Sequence, residues 1–124
     1  MKYFLNFIIF IFSLVKATTL NIPSDYNTIQ EGIDASQTGD TVLVAQGTYY
    51  ENLILDKNIT LASHAINDIL DDNWLDNENI NETIINGGQH PAGSSFGSCL
   101  VIRDNDINPL IHGFTFTEGT GTNM

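Results

Sequence analysis

From Leu20 onward the chain is built of short apolar runs punctuated by Asn, Asp and Gly. TLNIP, TVLVA, NLIL, NITLAS, ETIING, SCLVIR and LIHGFTFT are rich in Ile, Leu, Val, Thr and Phe, and each has the length of a strand. One segment keeps a different period. In SDYNTIQEGIDAS, Ile29 and Ile33 stand one helical turn apart, and Thr28 is followed three residues later by Glu31. That is a capping box opening a short amphipathic helix, which Thr38, Gly39 and Asp40 stop. AQGTYYEN reads as a turn through Gly47, and beyond it the pattern predicts strands only.

The connections argue against hairpins. Asn86-Gly87 is the only Asn-Gly pair, Asp-Gly is absent, and several links are long, whereas hairpin sheets favour two-residue turns of those types. Parallel strands stacked in successive coils explain short strands, long irregular turns and a helix over the first open end. The inward residues of such coils are Ile29 and Ile33 from the helix, Val42 and Val44, Ile59 and Leu61, Leu100 and Ile102, and Phe114 and Phe116. Each strand pair has the period of two that one buried face requires.

IPSDYNTIQEGIDASQTGDTVLVAQGTYYEN, followed by KNITLAS, TIINGG and IHGFTFTEGTGT, resembles the opening of secreted right-handed parallel β-helix proteins of the pectin lyase-like superfamily. The TIQ-x-x-IDA helix, the GDTV-x-V strand and the GTY-x-EN turn carry the likeness, which runs over most of Leu20 to Thr122. Gln46 stands where that pattern usually has Pro. The opening of pectin methylesterases is similar at lower resolution. The resemblance implies an all-β fold, a right-handed parallel β-helix or solenoid with an N-terminal capping α-helix, here incomplete. It brings no catalytic residues, because those of the enzymes lie on later coils, and fold does not carry function.

Residues 1–17, with Lys2, an apolar core from Phe7 to Val15, and Val15 and Ala17 before a cut, read as a signal peptide. The apolar run is shorter than the roughly 20 residues of a spanning helix. The expected product is therefore secreted or held at the cell surface, with no membrane span after cleavage and residues 18–124 as the cap and first coils of the domain. Charge narrows the partners. Fifteen acids face four bases, a formal charge of −11, and loss of the leader leaves only Lys57 and Arg103 as cations. Such a surface repels polyanions and holds no nucleic acid phosphates. Cys99 is the single cysteine, which excludes an internal disulfide and suits a small apolar residue in a strand.

Candidate chemistry is sparse. Asp68, Asp71, Asp72, Asp76, Glu78 and Glu82 crowd one Asn-rich stretch and supply the hard oxygens calcium prefers, but EF-hand spacing is missing and a solvated acidic loop explains them as well. Trp74 and Leu75 offer a sugar-stacking platform, against the blander and preferred reading of an apolar staple folded back on the helix. Arg103, Asp104 and Asp106 supply acid and base types, yet Asp residues so spaced usually shape a turn. His64, His90 and His112 lack paired zinc spacing. Asn58-Ile59-Thr60 and Asn81-Glu82-Thr83 fit the glycosylation sequon.

No catalytic, cofactor or metal residue is therefore assigned, and no cofactor is implied beyond optional calcium. Two function classes remain. One is a noncatalytic extracellular β-helix that binds polysaccharide, cell-surface glycans or protein partners. The other is the N-terminal fragment of a polysaccharide lyase, esterase or hydrolase with its site on further coils. FTFTEGTGTNM shows no element to cover a last coil, so the expectation is either a longer protein or self-association through the open C-terminal edge.

Overall fold

The computed structural model describes Leu14 and residues 16–69, 74–90 and 97–121; the expected leader lies almost wholly outside them. Among the described residues are strands β1 (Thr19–Ile22), β2 (Thr41–Val44), β3 (Gly47–Tyr50), β4 (Leu53–Leu55), β5 (Thr60–Ser63), β6 (Thr83–Asn86), β7 (Leu100–Ile102), β8 (Leu110–His112) and β9 (Thr115–Thr117). Two short helices join them, α1 (Ile29–Ala35) and α2 (Glu78–Asn81). The class is β-rich, and every strand pairing is parallel.

Three sheets form, in the orders β1-β2-β5-β8, β3-β6-β9 and β4-β7. From β2 onward the chain visits them in a fixed cycle, so β2, β3 and β4 make one row, β5, β6 and β7 the next, and β8 and β9 a third. The register stacks like residues into columns: Leu20, Val42, Leu61 and Ile111 in the first sheet, Tyr49, Ile85 and Phe116 in the second. In the third sheet Leu53 stands over Leu100 and Leu55 over Ile102. Val42, Leu61, Ile85, Leu53 and Leu55 of these columns, with Ile29 and Ile33 of α1, form the core, against which Tyr49, Leu100 and Ile111 pack partly buried. Removing such side chains from water is the main favourable term available to a chain without disulfides.

The α1 helix closes the first row by four devices. Its capping box is present: Thr28 Oγ1 accepts from the Glu31 N–H and Glu31 accepts from the Thr28 N–H. Glu51, just past β3, accepts from the N–H groups of Ile29 at 2.9 Å and Gln30 at 3.0 Å, placing a carboxylate on the positive helix end. Lys57, just past β4, donates to the carbonyls of Ile33, Asp34 and Ser36 at the other end. Gln30 meets β4 as a neighbouring strand would, donating to the Ile54 carbonyl at 3.1 Å and accepting from its N–H at 2.8 Å. The upper edge of the third sheet is thereby closed by one side-chain amide.

Gly32 lets α1 come this close, because a Cβ there would stand 2.7 Å from Ile22 Cδ1. Gly113, between β8 and β9, has φ +79 and would put a Cβ 2.5 Å from Ser63 Oγ, so the corner of the third row is seated directly on the second.

Several expectations need correction. Gly47 does not turn the chain; it begins β3, because the segment that follows alternates between the interior, where Tyr49 packs on the core, and solvent, where Tyr50 points. The second half is not strands alone, since one turn of helix, α2, forms where Asn77 caps the N–H of Ile80. LIHGFTFT is two strands, with Phe114 at the corner, half-buried and 6.1 Å from the ring of Phe116. Finally, Ile102 and Phe116 occupy inward register positions but remain 48% and 45% exposed, and Leu100 is only partly buried. Their column mates Leu55, Ile85 and Leu53 are fully buried. The difference is positional, because no further row covers them among the described residues.

Candidate functional site

Among the described residues, exposed Trp74, Leu75 and Ile69 and a set of bonded Asn and Asp side chains lie on the excursion between β5 and β6. It leaves β5 through a 3-10 turn, His64–Asn67, capped by Ser63, passes a second such turn, Trp74–Asp76, and returns through α2. Residues 70–73, among them Asp71 and Asp72 of the acidic cluster, lie outside the described residues.

Side-chain amides hold its two limbs together. Asp68 accepts from Asn77 Nδ2 at 2.9 Å and from Asn79 Nδ2 at 2.8 Å. Asn81 Nδ2 donates to the Leu75 carbonyl at 2.8 Å, and the buried Thr83 hydroxyl donates to the Asn79 carbonyl at 2.7 Å. Asn79 also accepts from Gln46 Nε2 at the head of β3, tying the excursion to the row above. The amide donors of Asn79 and then Asn77 lower the Asp68 pKa below the ordinary carboxylate value, with a smaller pull from His64. They stabilise the ionised form directly.

The apolar residues of this excursion do not fold away. Trp74 is 53% exposed, Leu75 65% and Ile69 94%, so the expected staple against the helix is not made. What results is an indole and two aliphatic side chains held out to solvent on a hydrogen-bonded frame.

The other sequence candidates separate. Arg103, Asp104 and Asp106 are all exposed, and Asp104 accepts from the Asp106 N–H at 3.1 Å with its own φ at 132; this is an Asx turn with no paired carboxylates. Cys99 is partly buried, and its thiol donates to the Thr117 carbonyl at 3.2 Å. His64 and His112 lie on different elements, a turn after β5 and strand β8. Both sequon asparagines already use their side chains, Asn58 accepting from the Asn108 N–H and Asn81 donating as above. Among the described residues no group of three or more His, Cys, Asp or Glu could hold a metal ion, and no helix is long and apolar enough to cross a membrane. With Asp68 engaged by two amides, the described acids of the cluster offer no gathered ligand set for calcium.

Sequence reasoning did not assign roles to the Glu51-Asn52 pair. Glu51 reaches up to α1, whereas Asn52 Nδ2 reaches down, donating to the carbonyls of Gly87 and Ser98 at 2.9 Å each. Two adjacent residues thus bind cap, first row and second row together. The available signal was the EN of the GTY-x-EN turn, which spacing alone does not interpret. Comparisons with protein families, curated proteins and solved structures found no match for this chain.

Proposed function

We propose that the chain is the capped opening of a secreted right-handed parallel β-helix, similar to the pectin lyase-like proteins, and that it serves as a noncatalytic glycan-binding module. The cyclic visiting of three parallel sheets and the in-register columns support the fold reading. The observation that carries the functional one is the exposure of Trp74 and Leu75 on a braced excursion. An exposed indole face suits the apolar C–H face of a sugar ring, and the surrounding Asn and Asp groups suit its hydroxyls.

The charge chooses among glycans. Without the leader the chain keeps two cations against fifteen acids, and Asp76, Glu78 and Glu82 lie on the same excursion as Trp74, so a polyuronate would be repelled. A neutral or fully esterified polysaccharide is the fitting ligand. One aromatic platform gives a weak site, with a Kd on the order of 1 mM, about −4 kcal/mol.

Trp74 is the single tryptophan, so its fluorescence reports the site directly. Titration with neutral oligosaccharides should shift and saturate the emission, while oligogalacturonate should not, and Trp74→Ala should remove binding of the neutral sugars with the fold intact by circular dichroism. Unchanged emission and no retention on neutral polysaccharide would overturn the reading. Release of unsaturated products or methanol from pectin by the purified chain would replace it with the enzyme reading.

A further inference from the structure

We infer that removal of the leader between Ala17 and Thr18 leaves an N-terminal ammonium on Thr18 that the Asp40 carboxylate holds, so that processing itself adds an ion pair to the first row. The inference rests on the secreted reading above and is independent of the glycan site.

Two lines converge on Thr18. The sequence places the cut after Ala17, with Val15 and Ala17 at the positions before it. The fold takes hold of the backbone at the very next residue. The Thr18 N–H donates to Asp40 Oδ1 at 2.8 Å, and the Thr18 carbonyl accepts from the Thr41 N–H at 2.9 Å, one residue ahead of β1. Before it, Lys16 and Ala17 are exposed, and the bond from Thr18 Oγ1 back to the Lys16 carbonyl is a long 3.3 Å.

Asp40 is fixed in place before any charge arrives. It is buried, and its Oδ2 accepts from the Gln37 N–H at 2.8 Å. Its own N–H donates to the Gln37 carbonyl and its carbonyl accepts from the Thr60 N–H, each at 2.9 Å. The ordering of long side chains that weakens surface ion pairs is therefore avoided here. In the chain that carries its leader, Oδ1 meets a neutral amide. Hydrolysis adds water across the Ala17–Thr18 bond: the hydroxyl goes to the Ala17 carbonyl carbon, whose acid releases its proton, and the hydrogen goes to the Thr18 nitrogen. That amine takes up a further proton at neutral pH, below its ordinary pKa, and a charge-assisted bond is roughly twice as strong as a neutral one. Thr18, Tyr26, Gln37 and Asp40 line a hollow of about 280 Å³, through which water reaches the ammonium hydrogens that Asp40 does not take. Lys16 lines the same hollow and leaves with the leader, so the cut removes one cation from beside Asp40 and installs another in contact with it.

The pair and the cut are tested separately. For the pair, the chain from Thr18, released from a fusion with no extra residue, is compared with the same chain acetylated at Thr18. Acetylation keeps the N–H bond to Oδ1, takes the place of Ala17 and removes only the charge. The free-amine chain should unfold at a higher urea concentration, the gap should shrink in about 1 M salt, and Asp40→Asn should abolish it. Where Asp40→Asn does not fold, NMR titration of the unsubstituted chain decides, with the Asp40 carboxyl titrating lower beside the free amine than beside the acetylated one. Equal midpoints with equal titrations overturn the ion pair, as does a chain that does not fold from Thr18. For the cut, the full chain is expressed in a secreting host and the exported product sequenced from its N-terminus. Thr18 is the expected first residue; any other, or a retained leader, overturns the assignment of the site and with it the secreted reading's boundary, while leaving the result on the pair to stand by itself.

Discussion

The two ends of the stack are made of the same kind of residue in the same register, yet among the described residues one is covered and the other is not. At the α1 end, Leu53 and Leu55 of β4 are fully buried, and the edge of that strand is bonded by Gln30. At the other end, Ile102 is paired with Leu55 and half exposed, and its outward backbone meets no described residue. Burial in this architecture is a property of the row and not of the residue, because each row is covered only by its neighbours. The α1 helix makes the difference between the ends, with Ile29 and Ile33 buried on the first row and polar side chains bonding its two ends and the edge of β4.

The largest contrast should appear in truncations at equivalent depth. Ile33→Ala in the cap should cost about 2–5 kcal/mol, the range for a buried aliphatic side chain. Ile102→Ala should cost less than about 1 kcal/mol. Urea unfolding of both variants decides it, and similar losses would mean that the open face is covered within one chain.

A smaller effect isolates the edge closure itself. Gln30→Ala should destabilise by about 1 kcal/mol, since it strands the partly buried N–H and C=O of Ile54. Methyl relaxation or hydrogen exchange should show the loosening confined to β4. Loss spread evenly over all rows would break the view that each end is closed locally.

The smallest effect is a dependence on pH. Asp40 accepts from the Gln37 and Thr18 N–H groups at 2.8 Å each, and these bonds, Gln37 first, hold its pKa below the ordinary value. Asp25, bonded by Asn21, and Asp68 are lowered in the same way. A depressed carboxylate contributes stability that is complete above the unfolded pKa, about 3.9, and is lost as pH falls through the folded one. Urea midpoints should therefore be flat above about pH 5 and fall below about pH 4. Asp40→Asn should make that acid limb shallower, and an unchanged slope would remove Asp40 from the account.

Much of the fold is legible in the sequence because its signals are local. The capping box of Thr28 and Glu31 places α1, and the β-branched runs place most strands with their inward faces. What is not legible acts over distance. Nothing within a helix window reveals that Glu51 satisfies the N–H of Ile29, 22 residues earlier, or that Lys57 closes the helix from beyond β4. The strand β3 hides behind a glycine that resembles a turn, and α2 is one turn long and exists through Asn77 and its neighbours. For the candidate site, Trp74 is visible as a residue type. Its exposure depends on Asp68 reaching across the excursion to Asn77 and Asn79, a contact no periodicity encodes.

The placement of the α1 partners also fixes an order of events during synthesis. A helix of seven residues is marginal in isolation, where lengths below about 12–15 residues rarely persist. Its hydrogen-bonding partners outside the helix and its capping residues, Glu51, Ile54 and Lys57, are all translated after it. On the ribosome the segment Ile29–Ala35 therefore emerges without the groups that hold it and gains them only when Lys57 has cleared the exit tunnel. The hydrogen bonds that close the first row are therefore complete only once the chain through Lys57 is available.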